Sequence, residues 1–224
     1  MLTDQTGSSP EDKRISETVQ ENRYLETVSG DELRDYDLSW FRGEIVVIDN
    51  IKAFRENFPR LLGSRILGFD TETRPSFKKG RQNKVSLIQL ANENLACLFR
   101  INRIGLPEEL ADLLADPGVV KTGVAIHDDL KSLKNIRRFS PSGFIDLQGY
   151  VKDFGIKSAG LKKLSAIVLG FRISKQQQVT DWEAETLTEA QAVYAATDAW
   201  VCHQIYVKLN NDRPVGIRTE VKNL

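Results

Sequence analysis

Residues 65–73 read RILGFDTET, an apolar run that ends abruptly in two carboxylates, Asp70 and Glu72. A short apolar run bounded by polar loops reads as a buried strand. Side chains alternate faces along a strand, so Asp70 and Glu72 share one face and Thr71 takes the other. Two adjacent carboxylates at the end of a buried strand repel one another and are costly to desolvate, and a divalent cation between them offsets both costs.

Working outward, EIVVID (44–49) predicts a strand, and KAFRENFPRLL (52–62), with Phe54, Phe58, Leu61 and Leu62 at helical spacing, predicts a helix. After the carboxylates comes a basic loop, RPSFKKGRQNK (74–84), then two strands, VSLIQLAN (85–92) and LACLFRI (95–101), which complete a meander. LPEELADLLAD (106–116) is a helix with Pro107 in its first turn, and VVKTGVAI (119–126) is a buried strand. HDDLKSLKNIRRF (127–139), FIDLQGYVKDFG (144–155) and GLKKLSAIVLG (160–170) read as three helices, and FRISKQQQVTDWEAE (171–185) as irregular chain. The longest helix is LTEAQAVYAATDAWVCHQIYVKLNN (187–211), capped by Thr188. The pattern predicts one α/β domain over residues 44–210, between a leader (1–43) and a polar tail (211–224).

Of 224 residues, 41% are hydrophobic and 28% charged, as in an ordinary globular domain. No stretch approaches the ~18 consecutive apolar residues of a membrane span, and MLTDQTGSSPEDKR has no apolar core of a secretory signal. The expected location is cytoplasmic, with no membrane and no obligate protein partner. Cys97 and Cys202 form no CxxC pair and read as buried small hydrophobes. The net charge of zero argues against coating nucleic acid through bulk positive charge. The charge is uneven, however: residues 1–37 carry ten acids against four bases, net −6, and the remainder nets +6. So acidic and polar a leader is expected to be largely disordered through about residue 28, with a short helix starting at Ser29. The charge split also suggests a leader that docks on the basic face and limits access to it.

Asp198 lies mid-helix in YAATDAW, four residues after Tyr194, so the two side chains stack on one helix face. Flanked by alanines and Trp200, this aspartate is poorly placed for solvent and calls for a partner outside its helix. Asp129, in GVAIHDDL, follows a buried strand, where an isolated aspartate is ordinarily a helix cap. Taken together, four acids arrive from a strand, a strand-to-helix junction and a long helix. In-line hydrolysis of a phosphodiester is served by two Mg²⁺ or Mn²⁺ ions, and oxygen ligands suit both.

These residues resemble the DEDD 3′-5′ exonucleases of the tyrosine branch, the family of ribonuclease D and of the exonuclease domain of Werner syndrome protein. The first motif is ILGFDTET followed by KVSLIQLA, the second VKTGVAIHDDLKSL, the third LTEAQAVYAATDAW. The resemblance implies an α/β fold with an RNase H-like core, a mixed five-stranded sheet flanked by helices. It implies a metal-dependent 3′-5′ exonuclease that acts on DNA or RNA with a free 3′ end and releases nucleoside 5′-monophosphates. Asp70, Glu72 and Asp198 would hold the first ion, Asp70 would bridge to the second, and Asp129 would bind that second ion largely through water. Tyr194 would orient the attacking water or help deprotonate it.

Two basic stretches, 73–84 with Arg74, Lys78, Lys79, Arg81 and Lys84, and 160–179 with Lys162, Lys163, Arg172 and Lys175, carry no acid. They are candidates for backbone phosphates, with Phe77 and Trp182 available for stacking on bases. Two competing readings are weaker. An aspartyl-phosphate phosphatase also begins with a strand ending in D-x-D-x-T, but here the second acid is Glu and no later G-D-x-x-x-D follows. A binding domain that has lost catalysis would not be expected to keep all four acids and the tyrosine.

Overall fold

The computed structural model describes residues 23–75 and 84–213. Six strands form one mixed sheet in the order β1-β4-β3-β2-β5-β6. They are β1 (Glu44–Ile48), β2 (Ile66–Thr73), β3 (Val85–Ala91), β4 (Leu95–Phe99), β5 (Val120–Gly123) and β6 (Phe144–Asp146). β2, β3 and β4 form the antiparallel meander, β1 adds parallel to β4, and β5 and β6 continue in parallel beyond β2. Every residue of β3 and β4 is buried, because helices cover both faces of the sheet centre. That is why those strands read as continuous apolar runs rather than alternating ones.

The helices are α1 (Ile51–Asn57), α2 (Ile101–Ile104), α3 (Glu108–Ala115), α4 (His127–Ile136), α5 (Leu147–Tyr150), α6 (Leu161–Leu164) and α7 (Glu189–Asn211). Phe69 of β2 shares a cluster with Phe54, Leu110, Leu114, Leu130 and Leu133, so α1, α3 and α4 cover one face. α7 covers the other: Leu87, Ala91 and Leu98 pack against Tyr194, Ala195, Ala196 and Ala199. Thr188 caps the start of α7, as the sequence predicted, and Gln191 completes a reciprocal capping box that satisfies two otherwise orphaned donors. Both cysteines are free and buried.

The α/β architecture is as expected, but the sheet has a sixth strand. Phe144–Asp146 pairs with Lys121–Gly123, and the helix read over 144–155 reduces to α5 and one 3-10 turn. The helix read over 160–170 is likewise split, into α6 and a π-helical turn at Ser165–Leu169.

The leader also departs from expectation. Residues 23–43 belong to the folded unit: Tyr24, Val28, Leu33 and Phe41 are buried. Glu26 pairs with Lys157 at 2.6 Å, and the amides of Lys157 and Ser158 donate to the Glu26 carbonyl. The helix expected from Ser29 is a 3-10 turn over Glu32–Arg34 whose N-cap position is Asp31; Ser29 stands ahead of it, its amide donating to Glu32 Oε2 at 2.6 Å and its Oγ accepting from the Glu32 amide at 3.2 Å. The disorder read for residues 1–22 and the tail beyond residue 213 lie outside the described residues. Among the described residues, no helix is long and apolar enough to cross a membrane.

Candidate active site

β2 carries Asp70 and Glu72 on the face covered by α7, and α7 brings Asp198 to meet them. One ligand oxygen from each of the three carboxylates lies within 4.8 Å of the others. The close approach depends on Gly68, two residues before Asp70 on the same face. A Cβ there would sit 1.7 Å from the Ala199 carbonyl oxygen and 2.9 Å from the His203 amide nitrogen. α7 therefore rests its backbone directly on β2, and only glycine permits it.

Asp129 lies in the first turn of α4, adjacent to the trio. Thr71, which alternation turns away from Asp70 and Glu72, donates its hydroxyl to Asp129 Oδ1 at 2.5 Å. The Thr71 amide donates to Asp70 Oδ1 at 2.9 Å, so one residue touches two of the acids. The turn that delivers α4 contains Ala125 at φ 58°, a left-handed conformation that is uncommon outside glycine.

The electrostatics are those of crowded, poorly solvated acids. Burial first, then the charges of Asp198 and Asp129, raise the Asp70 carboxyl well above its ordinary range. Burial, then the charges of Asp70, Asp198 and Asp129, push Glu72 to about 10. Asp198 is pushed up to about 7 by burial, moderated by the Tyr194 hydroxyl beside it and by Lys175. Asp129 is raised by burial against the Thr71 hydrogen bond. Burial and the charges of Asp198 and Glu72 raise Tyr194, so the phenol is held protonated.

A divalent cation fits these residues. Asp198 Oδ1 is fully buried with no hydrogen-bond partner, so the partner its surroundings call for is outside the helix and outside the described side chains. Three converging carboxylate oxygens are the donor set that Mg²⁺ or Mn²⁺ takes, and Asp70, Glu72 and Asp198 would hold the ion.

The trio and Tyr194 open into a cavity of about 220 Å³ that Lys162 and Lys175 also line. Two of the predicted cationic contacts are thus beside the acids. Lys163 is not: successive helical residues point about 100° apart, and it sits near Glu32 of the leader. Arg74 faces Asp181 at 3.9 Å and Glu183 at 3.4 Å and does not line the cavity. Arg172 donates its Nε to the Tyr36 carbonyl at 2.9 Å, a structural contact. Phe77, Lys78, Lys79 and Arg81 lie outside the described residues.

Trp182 requires a correction. It was expected to stack on a base, but it is fully buried, its ring centroid 6.0 Å from that of Tyr194. It packs in an apolar cluster with Phe41, Leu87, Leu98 and Tyr194, and Arg100 anchors the residues that follow it. Itself buried, Arg100 donates to the Ala184 and Glu185 carbonyls and draws this polar segment onto the end of β4. The indole packs beside the Tyr194 ring in the same cluster. Sequence reasoning missed Thr71 as a partner of Asp129, and it missed Ser174 and Gln178 in the cavity wall. Thr71 was placed on the correct face, but nothing in the sequence put α4 there.

Comparison with known proteins agrees with this geometry. The family model for the 3′-5′ exonuclease domain matches residues 45–213, and the chain belongs to that family. Its relatives include Exonuclease 3′-5′ domain-containing protein 2 of Drosophila melanogaster, 35% identical over 152 residues, covering 66% of this chain and 26% of that protein. The bifunctional 3′-5′ exonuclease/ATP-dependent helicase WRN of Mus musculus is 33% identical over 159 residues, covering 68% of this chain and 11% of that one. The chain thus spans about a quarter or less of these two relatives' length. Among solved structures, RNase D of Escherichia coli, an exoribonuclease involved in structured RNA processing, superposes with a TM-score of 0.68 at 26% identity, covering 75% of this chain and 45% of that one. The architecture is that of the RNase H-like exonuclease domains.

Proposed function

We propose that this domain is a divalent-metal-dependent exonuclease that removes nucleotides from the 3′ end of DNA or RNA and releases nucleoside 5′-monophosphates. The observation that carries the reading is the convergence of Asp70, Glu72 and Asp198 within 4.8 Å, with Asp198 Oδ1 buried and unpartnered. Two Mg²⁺ or Mn²⁺ ions bound there would supply the Lewis acidity for phosphodiester hydrolysis.

The chain's own residues do the rest. Asp70, Glu72 and Asp198 would hold the metal, with Asp129, whose carboxyl Thr71 fixes, available as a further acid beside them. Lys162 and Lys175, in the same cavity, attract the backbone phosphates that the acids alone would repel. Tyr194, protonated and braced by Trp182, orients the attacking water through its hydroxyl. The relatives' names and the fold of RNase D support this reaction class.

The test is incubation of the purified protein with 5′-labelled single-stranded RNA and 3′-overhang DNA in Mg²⁺, Mn²⁺ or EDTA, beside Asp70→Ala. A ladder shortening from the 3′ end in metal, absent in EDTA and in the variant, is the expected result. Binding without shortening of either substrate would overturn the proposal in favour of a domain that only binds nucleic acid.

A further inference from the structure

Across Tyr194 and Asp198 from the cavity of the three acids lies a second one, of about 370 Å³. The two share Ser174, Tyr194 and Asp198 as walls, so the second continues the first. Its outer wall is Leu38, Ser39 and Trp40 of the leader, which precede the region that the exonuclease family model matches, residues 45–213.

This wall is built into the fold. The Ser39 amide donates to the Arg172 carbonyl at 3.0 Å, and the Phe41 amide to Thr197 Oγ1 at 3.0 Å, pinning the segment to the chain on both sides. Trp40 is 37% exposed, and the Arg42 guanidinium lies 3.5 Å from the centre of its ring. A guanidinium on one face leaves a large planar surface on the other, which is the form a stacking platform takes.

The chemistry of the two cavities is divided. Lys162 and Lys175 line the first. Among the described residues lining the second there is no cation; Glu189 and Asp198 supply carboxylates there, and Gln176 and Gln177 supply neutral amides. The second cavity offers a phosphate no cation among its described residues, whereas the first offers Lys162 and Lys175 beside the acids that would hold the metal. A neutral, planar, hydrogen-bonding group is suited to the second, whose volume is in the range of about 300–1,000 Å³ for small-ligand sites. We infer that this cavity receives the 3′-terminal nucleobase of the strand, stacked on Trp40 and edged by Gln176 and Gln177, while the adjoining phosphates face Lys162 and Lys175. The inference rests on the proposed exonuclease reading and adds the leader to the substrate site.

The test compares the wild-type protein with Trp40→Ala and Trp40→Phe on a labelled oligonucleotide ending in a normal 3′ nucleotide or in an abasic one. Loss of a base stack should raise KM about tenfold in Trp40→Ala, with Trp40→Phe restoring most of it. Removing the base should penalise the wild type by a similar factor and Trp40→Ala hardly at all. An unchanged KM in Trp40→Ala, or an equal abasic penalty in both proteins, overturns the inference. Should the wild type hydrolyse no substrate, the exonuclease reading fails, and titration of tryptophan fluorescence with GMP decides the cavity separately. Quenching that is lost in Trp40→Ala supports it, and no quenching, or quenching that survives the substitution, overturns it.

Discussion

The backbone of Ala199 lies directly against Gly68, with the Ala199 carbonyl oxygen 1.7 Å from where a Cβ on Gly68 would stand. Asp70 is two residues from one partner and Asp198 is next to the other, so this contact sets the separation of the two acids. Substitution Gly68→Ala forces α7 away from β2. We expect a stability loss of about 1–3 kcal/mol from overpacking, together with loss of Mg²⁺ binding and of hydrolysis. Calorimetric titration with Mg²⁺ and thermal unfolding check both parts; a variant of wild-type metal affinity would refute the assignment.

The raised acids give the metal-free protein a pH signature. Unfolded carboxylates titrate near pH 4, whereas folded Asp198 and Glu72 titrate at about 7 and about 10. Between those limits the folded state retains protons that the unfolded chain has released, so stability falls as pH rises. In EDTA, Tm should drop from about pH 5 to about pH 8, and excess Mg²⁺ should flatten that slope. Asp198→Asn should flatten it without metal. A slope that is the same in all three samples would contradict the account.

Thr71 holds Asp129 through a hydrogen bond of 2.5 Å. Thr71→Val removes the donor and keeps the shape, at an expected cost of about 1 kcal/mol in stability. The lost bond lets the Asp129 carboxyl rise further, so the acidic limb of the pH–activity profile should move to higher pH. Thr71→Ser should retain the wild-type profile, and steady-state rates across pH test the contrast.

Trp182 is a buried brace rather than a stacking surface. Trp182→Ala should cost about 3–5 kcal/mol in stability, as for other large-to-small core changes. Trp40→Ala, at a partly exposed ring, should leave Tm nearly unchanged. Thermal melts of the two variants distinguish the roles; equal stability of Trp182→Ala and wild type would return that indole to the surface.

Much of the site was legible because its residues obey local periodicities. Period two placed Asp70 and Glu72 together, i,i+4 spacing placed Tyr194 by Asp198, and Thr188 marked the start of α7. β6 was not legible: three residues, Phe144–Asp146, are too few to show a strand period, and they run straight into α5. The packing of residues 23–43 was hidden because its apolar residues, Tyr24, Val28, Leu33 and Phe41, are scattered among acids and bury against elements far along the chain. Trp182 was misplaced for the same reason. Its segment is polar, and what buries it is an apolar cluster drawn from far along the chain, with Phe41, Leu87, Leu98 and Tyr194.

The most direct measurement is a calorimetric titration of Mn²⁺ into the wild-type protein and into Asp198→Ala. Removing one carboxylate from a crowded cluster relieves repulsion in the metal-free state, so the variant should fold and melt in EDTA at or above the wild-type temperature. The account predicts Mn²⁺ binding in the wild type that is lost in this folded variant. Equal Mn²⁺ affinity in the two proteins would contradict the claim that Asp70, Glu72 and Asp198 form the metal centre.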